Sequence, residues 1–399
     1  MKILLITTIY PAPDLHRGTS VCHYFARQWV QLGHEVKVIH IQTVFPDVLH
    51  LGGLLFRDRI ESRTDAVFLA RRQRHPKSYV MDGVSVTRIP VFKRKPHGKY
   101  NRTSLDKTLN FIVEDCRTTN FIPDAVCGHF HNPQLELICR LKGIFAGVRT
   151  CMIMHDSGLR IMDTYPDNYH QLMAAIDVWG FRSMPIKSVF EQHFGCMNNS
   201  FMCYSGLPEN FITTPPERSF SDKLKNFVFI GNLIDRKYPE TVMDAVAKAY
   251  GVTDDCKIVY VGSGHDLASL KKRARFHNMD KIVNFTGRVN RDEVVGYLDQ
   301  AQCMVMISRN EAFGLVYLEA MSRGCIVIAS RNEGMDGIIR DGENGFLCRA
   351  GDSDELASVI TRINNLSPTQ RKTISDNAVA TACALTDRNA ALIYLNALL

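Results

Sequence analysis

Hydrophobic residues recur along the 399-residue chain as short, continuous runs that are bounded by glycine, proline or aspartate. Because the runs do not alternate with polar residues, both faces of each predicted strand are covered, which is typical of parallel sheets between layers of helices. The predicted strands are residues 3–6, 36–39, 67–69, 152–154, 227–230, 258–261, 304–307 and 326–329. Predicted helices alternate with them at residues 20–32, 239–249, 266–277, 293–300, 315–323 and 354–363. The pattern predicts an α/β fold.

The strand–helix pattern begins twice, once at Lys2 and again at Phe227. Residues 205–226, between the two halves, are rich in turn-forming residues and poor in apolar ones. We therefore expect two Rossmann-like domains with parallel sheets that face a cleft, one over residues 1–205 and one over residues 206–375. Ligands are expected outside the carboxyl ends of the strands.

The net charge of +7 conceals an uneven distribution. Between Arg57 and Arg102 there are 13 Lys or Arg residues against 4 Asp or Glu residues, a local net charge of +9, so the rest of the chain sums to −2. A solvated surface accounts for such a stretch, and so does a surface for anionic lipid head groups or a pyrophosphate-bearing acceptor. We expect no nucleic-acid partner, because no nucleic-acid motif accompanies the charge.

The cysteines and the first strand indicate the compartment. The twelve cysteines include no Cys-x-x-Cys pair and several lie in apolar runs, which favours a reducing environment. No run reaches about 18 uncharged apolar residues, the length of a membrane span, and the short run from Ile3 to Ile6 reads as a buried strand rather than a signal peptide. We expect a cytoplasmic protein, with peripheral attachment to the cytoplasmic membrane face if the basic stretch binds lipid.

Two glutamates eight residues apart, Glu311 and Glu319, lie in the most informative segment. On one continuous helix they would point about 80° apart, which is poor for a shared ligand. The spacing fits better if Glu311 lies in a loop and Gly314 opens a helix that carries Glu319. The N–H groups of Phe313, Gly314 and Leu315 would then lie at the positive end of that helix and could bind a diphosphate.

With its flanks, this segment resembles the E-x7-E segment of retaining glycosyltransferases of family GT4. The family's following G-x-P-V tail has Ile326 in place of proline here. The resemblance implies the GT-B fold, with a terminal helix, here residues 376–399, that crosses back to the N-terminal domain. It also implies that Glu311 binds sugar hydroxyls and Glu319 ribose hydroxyls of a nucleotide-sugar.

The same resemblance extends to a phosphate-binding segment after residue 230. Lys237 falls on the family's lysine position, whereas Asn232 occupies the usual arginine position and removes one positive charge. Arg236 is the expected replacement, so Arg236 and Lys237 are predicted to bind the donor diphosphate. Near the N-terminus, Gly18 is the one glycine retained from the family's Gly-Gly turn, and Thr19 follows it.

Further family positions predict the rest of the pocket. Gly262 would shape the donor pocket and Arg288 would flank the nucleotide base. Leu267 occupies the third glycine position of a dinucleotide fingerprint, which argues against a nicotinamide cofactor. His131 would lie near the transferred sugar, with the His155-Asp156 turn as a secondary candidate. A structural histidine is the alternative for His131, and no metal site is expected, because no third ligand is nearby.

The resemblance implies retaining transfer from a nucleoside diphosphate-sugar, with UDP favoured, in which His131, Lys237 and Glu311 carry the chemistry without a metal cofactor. The expected acceptor is a saccharide or a polyprenyl-pyrophosphate-linked lipid in exopolysaccharide, capsule or lipopolysaccharide biosynthesis. Three alternatives stay open: a sugar-phosphate glycosyltransferase, a nucleotide-sugar epimerase, and a non-catalytic sugar- or lipid-binding module, the last because of Thr19 and Asn232.

Overall fold

The computed structural model describes residues 1–15, 19–45, 74–94, 98–220, 223–251 and 256–399. They form two compact units. The first unit comprises Met1–Arg182, Ile186–Cys203 and Ala390–Leu399, and the second comprises Ser183–Pro185 and Tyr204–Asn389. The predicted strand at residues 67–69, the candidate Gly18 and much of the basic stretch that begins at Arg57 lie outside the described residues.

An eight-stranded sheet forms the centre of the first unit, in the order β3-β4-β2-β1-β5-β6-β7-β8. Its neighbouring strands are parallel except for the antiparallel pair β3 and β4. The strands are β1 (Lys2–Thr7), β2 (Glu35–Val44), β3 (Lys77–Met81), β4 (Val84–Phe92), β5 (Ala125–His129), β6 (Arg149–Met154), β7 (Val178–Phe181) and β8 (Ser200–Met202).

The second unit contains a six-stranded sheet whose paired strands are all parallel, in the order β11-β10-β9-β12-β13-β14. Its strands are β9 (Asn226–Ile230), β10 (Lys257–Val261), β11 (Val283–Gly287), β12 (Cys303–Val305), β13 (Ile326–Ser330) and β14 (Phe346–Cys348). The predicted α/β class with two parallel-sheet domains is therefore confirmed. Among the described residues, no helix combines the length and apolarity needed to cross a membrane.

In the part of the chain that the structure describes, helices connect most successive strands of both sheets, and three more helices follow β14. In chain order they are α1 (Val21–Gln31), α2 (Arg102–Thr118), α3 (Gln134–Ile144), α4 (Arg160–Thr164), α5 (Tyr169–Ala174), α6 (Met184–Phe194), α7 (Pro239–Tyr250), α8 (Leu267–Phe276), α9 (Arg291–Gln300), α10 (Leu315–Ser322), α11 (Ser353–Asn364), α12 (Pro368–Ala384) and α13 (Asp387–Leu398). Short 3-10 turns cover Glu209–Phe211 and Asp235–Lys237.

The end of the chain returns to the first unit. From Ala390 onwards, α13 packs in the first core, where the Tyr394 ring lies 4.9 Å from the Trp29 ring and the Trp29 indole N–H donates to the Ala391 carbonyl at 3.3 Å. The sequence predicts domain limits at residues 205 and 376. The structure divides the chain at Cys203 and keeps all of α12 in the second unit.

Glycines bring three strand-end loops of the second sheet into contact. Gly262 has a φ of +148°, and a Cβ built there would lie 1.9 Å from the Gly231 carbonyl oxygen. Its N–H donates to the Gly287 carbonyl at 2.9 Å, while the Gly231 N–H donates to the Val261 carbonyl at 3.0 Å. The loops after β9 and β10 can therefore approach closely only because position 262 carries no side chain.

Candidate functional site

Lys237 and Glu311 form an ion pair at the carboxyl edge of the second sheet. Lys237 ends the 3-10 turn Asp235–Lys237 after β9, and Glu311 lies in the loop after β12, the neighbouring strand. The Lys237 ammonium donates to Glu311 Oε2, which also accepts from the Ser308 hydroxyl at 3.3 Å and lies 3.8 Å from the Arg236 guanidinium. The arrangement places two cations and one carboxylate at a single point.

Burial lowers the pKa of the lysine. The exposed fraction of the Lys237 side chain is 11%, and this desolvation lowers its pKa, with the Arg236 charge acting in the same direction and Glu311 opposing it. Arg236 is exposed, and so is Asn232 at the position where the family carries arginine. The site therefore has one enclosed and one solvated cation.

Glu333, which no motif in the sequence marks, fixes the loop that carries Glu311. Its two carboxylate oxygens accept the N–H groups of Asn310 at 3.0 Å and Glu311 at 2.7 Å. Burial raises the pKa of Glu333, although these two hydrogen bonds oppose the shift. In addition, the Arg309 N–H donates to the Arg236 carbonyl at 2.8 Å, which joins the Glu311 loop to the Lys237 loop.

Gly314 separates the Glu311 loop from α10. Its φ is +90°, and a Cβ there would lie 2.5 Å from the Tyr317 ring. The Tyr317 hydroxyl donates to the Met306 carbonyl, which anchors the first turn of α10 to the end of β12. As the spacing predicts, Glu311 lies in a loop and α10 begins immediately after Gly314, at Leu315. The first N–H groups of a helix lack intrahelical partners and favour anions.

Glu319 lies on α10 and pairs with Arg291, the first residue of α9, which is another residue not identified from the sequence. Glu319 is only 6% exposed, and the Arg291 Nε atom donates to its Oε1 at 3.1 Å. Burial raises the pKa of Glu319 despite the attraction of Arg291. Arg288 is exposed and precedes Arg291 by three residues, while Phe313 is buried against Tyr204 with a ring separation of 5.7 Å.

His131 belongs to the first unit, where it follows β5. Its ring is buried, and Nδ1 lies 3.9 Å from Asp156 Oδ1. Burial lowers the pKa of His131; Asp156 opposes the shift, and the Arg160 and Lys93 charges reinforce it. The neighbouring His129 Nδ1 and His155 Nε2 are 2.9 Å apart, so the second histidine candidate is held inside the unit by its own partner.

Among the described residues, one group has the composition of a metal site. Asp235, His265 and Asp266 have ligand atoms that all lie within 4.8 Å of one another. The His265 Nδ1 and Asp266 Oδ1 atoms are 2.7 Å apart, so these two side chains already bind each other. The Lys237–Glu311 pair does not include any member of this group.

Residues 211–379 match the family model described as "Glycosyl transferases group 1". N-acetyl-alpha-D-glucosaminyl L-malate synthase of Bacillus anthracis is 32% identical over 142 residues, which cover 35% of this chain and 36% of that protein. The lipopolysaccharide core biosynthesis glycosyltransferase LpsE of Rhizobium meliloti is 30% identical over 155 residues, or 39% and 41%. The chain thus matches about two fifths of the length of these curated relatives.

The structure resembles solved proteins over almost its whole length. HepE of Anabaena, solved in complex with UDP, superposes with a TM-score of 0.68 at 17% identity and covers 99% of both chains. At this identity the likeness concerns the fold, which agrees with two parallel-sheet α/β units. Residues 211–379 are thus similar to the group 1 glycosyltransferases, and the fold class of the chain is GT-B.

Proposed function

We propose that the chain is a retaining hexosyltransferase that moves a sugar from a nucleoside diphosphate-sugar, with UDP favoured, to a hydroxyl of a lipid-linked or saccharide acceptor in surface polysaccharide biosynthesis. One observation carries the proposal: Lys237, Arg236 and Glu311 meet beside the N-terminus of α10. Cations and helix N–H groups suit a diphosphate, and a carboxylate suits sugar hydroxyls.

In this mechanism, Lys237 and Arg236 neutralise the charge that develops on the departing diphosphate. The N–H groups of Phe313, Gly314 and Leu315 donate to the same group, Glu311 accepts from sugar hydroxyls and Glu319 from ribose hydroxyls. Gly18 and Gly262 allow close approach to the donor, and Arg288 flanks the base. The two cations perform the charge neutralisation for which other transferases use a metal, so we expect no metal requirement.

The chemical step follows the mechanism that the family implies. The bond between the sugar and the diphosphate breaks while the acceptor oxygen forms its bond on the same face of the sugar. The acceptor's proton passes to an oxygen of the leaving diphosphate, which keeps the charges balanced. His131 would position or stabilise the sugar in this step.

The names of two similar proteins support the proposed donor and pathway. HepE was solved with UDP, and LpsE is named for lipopolysaccharide core biosynthesis. A further part of the proposal is that the stretch from Arg57 to Arg102 attaches the enzyme to an anionic membrane surface. Co-sedimentation with anionic and neutral vesicles at low salt tests this part, and equal binding to both would contradict it.

A thermal-shift panel of nucleotide-sugars tests the donor assignment. A ligand at about 100 times its dissociation constant adds about 2.7 kcal/mol of stability, so the correct donor should stand out. At the same ligand concentration, Lys237→Met should reduce the stabilisation to about 0.4–1.4 kcal/mol, for a 10- to 100-fold loss of affinity. Lys248→Met, which removes an exposed lysine paired with Asp354, should leave it unchanged. Product analysis with and without an acceptor distinguishes a transferase from an epimerase, because an epimerase needs no acceptor. Undiminished turnover in Lys237→Met and Glu311→Gln would overturn the site assignment.

A further inference from the structure

Two lysines of the basic stretch, Lys93 and Lys99, lie at the carboxyl edge of the first sheet, within the described residues. Lys93 directly follows β4, and its backbone N–H donates to the Val44 carbonyl at the end of β2 at 2.9 Å. Its Nζ atom lies 4.7 Å from the centre of the Tyr100 ring. Lys99 Nζ lies 5.2 Å from the centre of the Tyr165 ring.

A hydrogen bond connects residues 98–100, which include Lys99, to the loop that contains His131. The Asn132 side-chain amide donates to the Gly98 carbonyl at 3.1 Å, directly beside Lys99. The Tyr100 hydroxyl is 2.6 Å from the Thr43 hydroxyl, which holds the segment to the end of β2. Lys93 and residues 98–100 are therefore hydrogen-bonded to the end of β2 and to the loop after β5, so the lysines and His131 share one edge of the sheet.

The lysines have positive charge that the described residues do not neutralise. Within the described ranges, no carboxylate oxygen lies within 4.0 Å of Lys93 Nζ or Lys99 Nζ. Burial lowers the pKa of Lys93 to about 8, and the charges of Lys93 and Arg160 both lower the pKa of His131. Asp156, the carboxylate that faces His131, is 53% exposed and 3.9 Å away. A partly buried amine without a counter-ion lowers the stability of the fold. We therefore expect Lys93 to have a function that offsets this cost.

Unpartnered polar atoms border the same place. The Tyr165 side chain is 1% exposed, and its hydroxyl has no hydrogen-bond partner in the part of the chain that the structure describes. The buried Asn132 Oδ1 atom is also without a partner there. Buried polar atoms are normally hydrogen-bonded, so such atoms beside two lysines point to a ligand that completes the site.

We propose that Lys93, Lys99 and Arg160 form a subsite for a phosphate group of the acceptor, next to His131 in the first unit. The inference rests on the proposed glycosyltransferase function and narrows its acceptor to one that carries phosphate. A phosphate oxygen accepts charge-assisted hydrogen bonds from ammonium and guanidinium groups, and its charge stabilises the protonated form of Lys93. A soluble sugar phosphate and a prenyl diphosphate share this chemistry.

Titration with inorganic pyrophosphate in the presence of saturating UDP tests the subsite, because UDP occupies the donor diphosphate site. Loss of one charge-assisted contact should raise the dissociation constant of inorganic pyrophosphate about tenfold in Lys93→Met and in Lys99→Met. Lys107→Met, which removes an exposed lysine on α2 of the same unit, should bind pyrophosphate as the unaltered chain does. Lys93→Met should also melt at a higher temperature, since it removes a desolvated charge, so weaker binding cannot be attributed to unfolding.

The outcomes separate the subsite from the donor site. Undiminished pyrophosphate affinity in both lysine variants, with UDP binding intact, would overturn the subsite alone; loss of UDP binding in the unaltered chain would contradict the proposed function instead. Histidine NMR supplies a second measurement: pyrophosphate should raise the pKa of His131, and less so in Lys93→Met. A hexose phosphate and a short-chain prenyl diphosphate then compete with pyrophosphate. Competition by either identifies the source of the phosphate, and competition by neither would also overturn the proposal.

Discussion

The Lys237 ammonium donates to Glu311 Oε2, so the cation proposed to bind the donor diphosphate is held by the carboxylate proposed to bind the sugar. Both side chains are mostly buried, with exposed fractions of 11% and 15%. The carboxylate keeps the amine in place before the donor binds. It also competes with the diphosphate for that amine, so the two residues should have separable effects on binding and on turnover.

Glu311→Gln should bind UDP a few-fold more tightly while transfer slows. The substitution keeps the side-chain shape but removes the anion that competes for Lys237. The neutral amide is also a weaker hydrogen-bond acceptor for the sugar hydroxyls. Lys237→Met should weaken the affinity for UDP about 10- to 100-fold, the usual effect of losing a charge-assisted hydrogen bond. Titration calorimetry with UDP and kcat for transfer check both results. Weaker UDP binding in Glu311→Gln would contradict the competition.

Asn232→Arg should strengthen donor binding. Asn232 is exposed in the loop after β9, so a longer side chain fits without repacking, and a guanidinium there adds charge for the diphosphate. We expect UDP affinity to rise about tenfold with little change in melting temperature. Thr361→Arg, an equal charge change at an exposed position on α11, is the matched control and should leave UDP affinity unchanged. An equal gain in both variants would indicate a nonspecific charge effect.

Local rules predict part of this site from the sequence. The eight-residue spacing of the glutamates and the intervening Gly314 correctly predict a loop followed by a helix, because both signals act within one segment. The residues that hold the glutamates could not be predicted in this way. Glu333 lies 22 residues after Glu311, and Arg291 lies 28 residues before Glu319. Both reach the site only through the order in which the parallel strands pair.

The same distinction explains the strands that the hydrophobic pattern misses. β4 contains the polar residues Ser85, Thr87 and Arg88 and the strand-breaking Pro90, so no continuous apolar run marks it. Arg88 is nevertheless buried, because its guanidinium donates to both carboxylate oxygens of Asp14 at 2.8 and 3.1 Å. That partner is 74 residues away in sequence, and no local pattern indicates the pairing.

Glu319→Gln should stabilise the second unit at neutral pH and weaken nucleotide binding. Burial raises the pKa of Glu319, so the folded state holds this proton more tightly than the unfolded state does. The contribution of protonated Glu319 to the free energy of unfolding is therefore present below the pKa that Glu319 has in the unfolded state. It is lost as the pH rises through the pKa that Glu319 has in the folded state. Glutamine removes that loss, so the difference in melting temperature should grow from pH 4 to pH 7. Calorimetry over this range checks the slope, and a variant less stable at pH 7 would contradict it.

Gly314→Ala should destabilise the second unit and abolish transfer, whereas Gly33→Ala should cost only backbone strain. The two glycines have similar φ values, +90° and +87°, so any side chain costs about 1 to 2 kcal/mol at either position. A Cβ at Gly33 meets nothing within 4 Å, but one at Gly314 lies 2.5 Å from the Tyr317 ring and adds a packing cost of about 1 to 3 kcal/mol.

Spectroscopy can follow the two glycine variants separately. Trp29 and Trp179 are the only tryptophans in the sequence and both belong to the first unit, so fluorescence follows the unit that contains Gly33, while calorimetry follows both units. The Tyr317 ring is fixed by its hydrogen bond to the Met306 carbonyl, so it cannot turn aside without breaking that bond. We therefore expect the Gly314 loop to shift instead, displacing Glu311 from Lys237. Equal losses of stability in the two variants, with transfer retained in Gly314→Ala, would show that the close contact with Tyr317 does not position Glu311.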